Sequence, residues 1–332
     1  MKRKIILLIS ESHNSLGLFS DLENDENVSV IVVKQRSISN PFLKMIKKLH
    51  TSSTVNKHIA LPFRKLWFQS VDIKLEKDTR YVIAVVDLAL RGLDLDYLNM
   101  LFSKPNVNNA LIMINSFDAS SIGMLEIKKE LFKLRWNRIL TFDPADAEKY
   151  SWEYMGCCYY SMHDAALIKK SYQSSETFDA YFTGGLKGER EQLIVNCFEK
   201  LYNSGIKTSF NILVTGSRRL KKLYYQDRIN YYSGGWIPYE KVLSDVLNSD
   251  VIIEILQKGQ NGPSLRYYEA VCYNKKLLSN NPNLTKLPYY DPRFMKYFKT
   301  SDDINVEWIR TEENIDYGYH GDFSPRCLLE KL

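Results

Sequence analysis

The chain has 332 residues, of which 45% are hydrophobic and 25% charged, with a formal net charge of +6. A single hydrophobic core stops growing at roughly 250–300 residues, so two domains are predicted; the modest glycine and proline content, without a biased tract, excludes fibrous and disordered classes. The five cysteines are odd in number and show neither a CxxC pair nor a metal-ligand spacing, which excludes a disulfide framework and points to a reduced, cytoplasmic compartment.

Lys2, Arg3 and Lys4 precede an apolar run at 5–10 that is too short for a signal-peptide core and leads directly into Glu11, Ser12 and His13. A buried first strand is predicted there. Further strands are predicted at 28–33, 81–87, 110–115 and 138–142, with helices at 93–102 and 124–136. Alternation of this kind implies a parallel sheet with crossover helices. No run of about 20 apolar residues occurs, so no membrane span is predicted.

Between Lys34 and Ser70 the bases Lys34, Arg36, Lys44, Lys47, Lys48, Lys57, Arg64 and Lys65 stand without any Asp or Glu. Phe42, Leu43, Met45, Ile46, Phe63, Leu66, Trp67 and Phe68 are interleaved with them. Three readings fit: a solvated helix and loop whose apolar side packs on the core, peripheral contact with anionic lipid through residues 34–68, and nucleic-acid binding. Membrane contact at the inner face of the bilayer is the functional expectation carried forward, and no nucleic-acid partner is expected.

Residues 151–177, rich in Tyr and Ser and without periodicity, read as a linker. The pattern then restarts with a strand at 178–183, a turn at Gly184-Gly185, a helix at 189–203 with Leu193, Ile194, Cys197 and Leu201 on its apolar side, and a strand at 210–214. A helix at 239–247, a strand at 251–255, a helix at 264–273 and a strand at 276–279 follow. Ser324-Pro325 opens a last short helix as cap and first-turn residue. The predicted organisation is an N-terminal acceptor-binding domain at 1–150, the linker, a nucleotide-binding domain at 178–310, and a tail with a helix at 311–332.

The segment from Asp250 to Asn281 carries the clearest chemistry. A buried strand leads through a loop into Asn261, Gly262, Pro263, Ser264 and Leu265, where glycine permits a tight turn, proline suits a first helical position, and the open N–H groups favour a phosphate. Arg266 lies in the first turn and offers a charged fork to the same phosphates. Glu269 stands further along the helix, within reach of a ribose.

This arrangement resembles the donor site of GT-B glycosyltransferases, in which a glycine-rich loop opens a helix whose glutamate binds the donor ribose. Tyr181 to Gly188, with Gly184, Gly185 and Lys187, is similar to the strand and glycine turn that open that family's donor domain, and the resemblance assigns Lys187 to the diphosphate. The loop around Trp236 and Ile237 resembles the one that receives the nucleobase. The family's retaining members carry a glutamate where this chain has Asn261. The resemblance implies an α/β fold of two Rossmann-like domains facing across a cleft, and transfer of a sugar from a nucleotide-sugar to a glycan or glycolipid acceptor in lipopolysaccharide or other surface-polysaccharide synthesis. It also implies no resident metal or cofactor.

A proton acceptor for the acceptor hydroxyl is sought at the carboxyl ends of strands, where ligands bind in open α/β sheets. Glu11 and His13 follow the first strand and are the predicted catalytic residues; Asp87 and Asp143 occupy similar ends, with Asp143 also reading as a helix cap. A sugar-nucleotide epimerase of the same fold and a non-catalytic membrane or nucleic-acid binding protein are the alternatives. The absence of GxGxxG after the first strand excludes a dinucleotide-dependent oxidoreductase.

Overall fold

A computed structural model describes residues 2–332 except 35–37, 39, 51–66, 68–70, 119–127, 129, 130, 158, 173–175, 187–189, 215–224, 234 and 235. The chain divides into two units, one formed by Met1–Ser161 with Ser324–Leu332 and the other by Met162–Phe323. The C-terminal helix α10 (Pro325–Leu329) thus belongs to the first unit, its cap Ser324 donating a hydrogen bond to Asp21 at 2.6 Å.

In the first unit the apolar runs form β1 (Lys2–Ser10), β2 (Val28–Val33), β3 (Thr79–Val86), β4 (Val107–Met113) and β5 (Arg138–Thr141). They pair in parallel in the order β2-β1-β3-β4-β5, with register such as Ile5 beside Val28 and Leu8 beside Val85. Leu8, Ile83, Val85 and Leu111 are almost inaccessible and share a core with Leu98 and Leu101 of α3 (Leu95–Phe102). Burying each such side chain stabilises the unit by about 1.5–3 kcal/mol.

The remaining helices of this unit are α1 (Glu11–Ser15), α2 (Pro41–His50) and α4 (Pro144–Tyr150). Asp143 caps α4 by accepting from Ala145 N, with Pro144 at the first position, as its sequence implies. Residues 124–127, 129 and 130 of the helix predicted at 124–136 lie outside the described residues. Its described end differs: 132–136 form turn and irregular backbone, and Trp136 Nε1 donates to Leu131 O at 3.0 Å.

Two elements lie inside the stretch predicted as a linker. β6 (Glu153–Tyr154) extends the first sheet beside β5, and α5 (Ala165–Ser171), capped by Asp164, belongs to the second unit. Both are too short to impose a hydrophobic period on the sequence.

The second sheet is also six-stranded and parallel, with order β12-β11-β10-β7-β8-β9. Its strands are β7 (Phe178–Gly185), β8 (Thr208–Val214), β9 (Asn230–Ser233), β10 (Ser249–Glu254), β11 (Lys276–Ser279) and β12 (Met295–Tyr297). Successive side chains alternate between its faces. Ala180, Phe182, Phe210, Val251 and Ile253 pack on Ile194, Cys197 and Leu201 of α6 (Arg190–Asn203) and on Trp308 and Ile309 of α9 (Val306–Arg310). The alternate residues, among them Tyr181, Asn211, Glu254 and Ser279, meet α7 (Tyr239–Leu247) and the start of α8 (Leu265–Cys272).

Gly184 and Gly185 do not form the predicted turn. They continue β7, paired with Ile212 and Leu213 of β8. The ladder hydrogen bonds of the parallel neighbour hold them extended, overriding the glycine signal.

Candidate functional site

Each sheet reverses its strand order once: the first between β1 and β3, the second between β7 and β10. Ligands of open α/β sheets bind outside the carboxyl ends of strands at such points. Both positions carry built polar constellations.

At the first, His13 in α1 meets Asp87, which directly follows β3. His13 is 3% exposed, and its Nε2 lies 3.7 Å from Asp87 Oδ1, longer than a hydrogen bond. Neither imidazole nitrogen has a hydrogen-bond partner among the described residues. Asp87 is fully buried and accepts from Leu88 N at 2.6 Å, Ile114 N at 3.2 Å, Asn115 N at 2.9 Å and Asn115 Nδ2 at 3.0 Å. Burial still raises its carboxyl to about 6, those hydrogen bonds acting in the opposite direction. Burial likewise depresses His13 to about 3, so the imidazole is neutral at pH 7. Glu11, its companion in the sequence prediction, is exposed. Asp143 is buried as the cap of α4.

At the second, Arg190 reaches back from the start of α6. Its Nε and Nη2 donate to Gly185 O at 2.9 and 2.6 Å, and its Nη1 donates to Ile255 O at 2.9 Å. The guanidinium therefore ties together the chain ends leaving β7 and β10. These partners are neutral carbonyls, and burial lowers the group to about 10. A partly buried cation held by dipoles retains its attraction for an anion.

Gly184 makes this approach possible. A Cβ there would lie 2.9 Å from Arg190 Nη2 and 2.9 Å from Phe182 Cζ. Gly184→Ala is expected to displace the guanidinium and to cost roughly 1–3 kcal/mol in urea denaturation.

The loop leaving β10 is fixed at both ends. Asn280 Oδ1 accepts from Leu256 N at 2.7 Å, and Glu254 accepts from Ser264 N at 2.6 Å and Ser264 Oγ at 2.7 Å. Glu254 also accepts from Ser279 Oγ, tying β11 to the same carboxylate. Burial raises its pKa, opposed by those hydrogen bonds. Ser264 caps α8 by accepting from Arg266 N at 3.3 Å. Two N–H groups that the sequence assigned to phosphate thus already have partners. Within the loop, Asn261 Nδ2 donates to Gly259 O at 3.5 Å, while Gly262 and Pro263 are buried and Leu265 is half-buried.

Arg266 and Glu269 face each other. Arg266 Nη2 donates to Glu269 Oε1 at 2.6 Å, and Tyr239 Oη donates to the same oxygen at 2.8 Å. Glu269 is fully buried, its carboxyl raised to about 7 by desolvation against the pull of Arg266 and Tyr239. Its Oε2 has no donor among the described residues. Nearby in sequence, Trp236 is 59% exposed and Ile237 is buried. Lys187 lies outside the described residues.

The structure therefore places Gly184, Gly185 and the loop before α8 around one reversal point, and His13 at the other. Arg190 and Glu254 were not singled out from the sequence. Glu254 had a signal: it is the one charged residue in the run 251–255, at the carboxyl end of the strand, where ligands bind.

No family model matches the sequence, and none of the curated proteins matches it. Solved structures do. A protein assigned as a UDP-N-acetylglucosamine 2-epimerase from Listeria monocytogenes is 9% identical, with 99% of this chain and 95% of that chain covered, at a TM-score of 0.51. AviGT4, a glycosyltransferase involved in avilamycin A biosynthesis, is 10% identical over 92% of this chain and 87% of its own, at a TM-score of 0.49. The glycotransferase of kitacinnamycin is 12% identical over 99% and 90%, at 0.40. The chain has two parallel-sheet α/β units of six strands each, the fold it shares with that epimerase.

Proposed function

We propose that the protein is a glycosyltransferase that moves a sugar from a nucleotide-sugar to a glycan or glycolipid acceptor in surface-polysaccharide or lipopolysaccharide synthesis. The observation that carries this reading is Arg190, a half-buried cation fixed by Gly185 O and Ile255 O at the reversal point of the second sheet. A nucleoside diphosphate is the anion it suits, beside Gly184, Gly185 and the 261–266 segment.

Glu269 Oε2 is an acceptor lacking a donor, and a ribose hydroxyl supplies one. Exposed Trp236 offers a face for the base, with Ile237 anchoring its loop. In the first unit, neutral His13 removes the acceptor hydroxyl's proton, with the Asp87 carboxyl 3.7 Å from its Nε2 as counter-charge. The acceptor oxygen bonds to the anomeric carbon as the carbon–oxygen bond to the diphosphate breaks. The nucleoside diphosphate leaves with its charge facing Arg190. The nucleotide-sugar is a substrate, and the proposal includes no resident metal or cofactor.

Product analysis by mass spectrometry tests the reaction class. Donor consumed only in the presence of acceptor, with a glycosylated product, supports transfer. A nucleotide-sugar epimerised without acceptor assigns the fold's other chemistry, and a donor left intact under every acceptor tried contradicts both.

A further inference from the structure

The amphipathic helix α2 displays its apolar side. Phe42, Met45, Ile46 and Leu49 recur at the spacing that places them on one helix face, with Leu43 at its border. Phe42 is 63% exposed, Met45 53%, Leu49 46% and Leu43 42%. The contrast is α6, where Ile194, Cys197 and Leu201 are covered by the sheet. The reading in which α2 packs its apolar side on the core does not hold for these four side chains.

The helix is well founded locally. Asn40 Oδ1 accepts from Phe42 N at 2.9 Å and Leu43 N at 3.3 Å, Pro41 opens the first turn, and bases toward the C-terminus suit the helix dipole. Lys44 is exposed and Lys47 half-buried. Eight bases and no acid occur between Lys34 and Ser70.

We propose that α2 docks on an anionic lipid bilayer, with Phe42, Leu43, Met45 and Leu49 entering the headgroup–acyl boundary and Lys44 and Lys47 meeting lipid phosphates. Charge decides the occupant. A second copy of the helix would bring like charge against like charge, whereas an anionic bilayer complements the bases and accepts the apolar face. Nucleic acid would satisfy the bases but leave that face in water. The proposal is independent of the donor-site reading, since docking requires no catalysis.

The test is sedimentation of the full chain with phosphatidylcholine vesicles, with and without phosphatidylglycerol. The parent is expected to bind the mixed vesicles, to bind neutral ones weakly, and to be released by salt. Phe42→Ser/Met45→Ser/Leu49→Ser is expected to lower partitioning at least about tenfold, with an unchanged circular dichroism spectrum because these residues are exposed. Lys44→Glu/Lys47→Glu is expected to do the same through charge. Absence of binding, equal binding to neutral vesicles, or undiminished binding by the triple serine variant would overturn the proposal. So would a dimer in light scattering that the serine variant dissociates.

Discussion

His13→Ala is expected to lower kcat by about 10²–10⁴-fold, the range for loss of a positioned general base, with little change in donor affinity. The effect is large because the imidazole has no substitute in its surroundings: Asp87 is enclosed by four donor groups, and Glu11 is exposed. In the proposed reaction Asp87 acts on His13 through charge and not through a hydrogen bond. When His13 takes a proton, the carboxylate 3.7 Å away supplies the counter-charge. Asp87→Asn is therefore expected to lower kcat by roughly 10²-fold and to remove the acidic limb of the pH–rate profile.

That limb should lie near pH 6, where Asp87 protonates in the folded protein. Its stability contribution has the opposite sign. Because the folded pKa is raised above the ordinary 3.8, the contribution is fully present below pH 3.8 and is lost as pH rises through about 6. Between these values, activity should rise while this residue's share of stability falls. His13 runs the other way: its depressed pKa contributes stability above about 6.5 that is lost as pH falls toward 3. Comparing each single variant with the parent across pH separates the two.

Arg266→Ala is expected to cost about 3–5 kcal/mol of unfolding free energy in urea at pH 8, since it leaves a fully buried carboxylate without its counter-charge. Glu269 has a folded pKa raised to about 7 from 4.5, so its contribution is present below 4.5 and lost as pH rises through 7. The variant's deficit should therefore shrink at pH 5.5, where Glu269 is protonated. Arg266→Met/Glu269→Gln should recover much of the loss, because no buried charge remains. A deficit independent of pH would contradict the ion-pair account.

The fold was legible where burial is two-sided and continuous. Val82 to Val86 and Val251 to Ile253 are apolar without interruption, as strands covered on both faces must be. β6, β9 and β12 are too short to impose a period. The start of α8 was legible through Gly262, Pro263 and Ser264, which announce a helix after a strand, with Ser264 its cap.

The site's internal wiring was not legible. Arg190 meets Ile255 across 65 positions, and Glu254 meets Ser279 across 25. Nothing local marks either contact. Arg266 and Glu269 were read as ligands side by side, although their spacing of three residues also puts them within reach of each other. The structure shows that second use, and Ser264 N–H is held by Glu254. These contacts move the proposed diphosphate site toward Arg190.

The central claim is that the second unit holds a nucleoside diphosphate against Arg190. Calorimetric titration of the intact protein with UDP, GDP and dTDP, repeated with Arg190→Gln and with Glu11→Ala as an exposed control, tests it most directly. One nucleotide is expected to bind the parent and the control alike, and to bind the folded Arg190→Gln variant about 10–100-fold more weakly, the size of a lost charge-assisted hydrogen bond. No binding by the folded parent, or equal affinity in Arg190→Gln, would contradict the account.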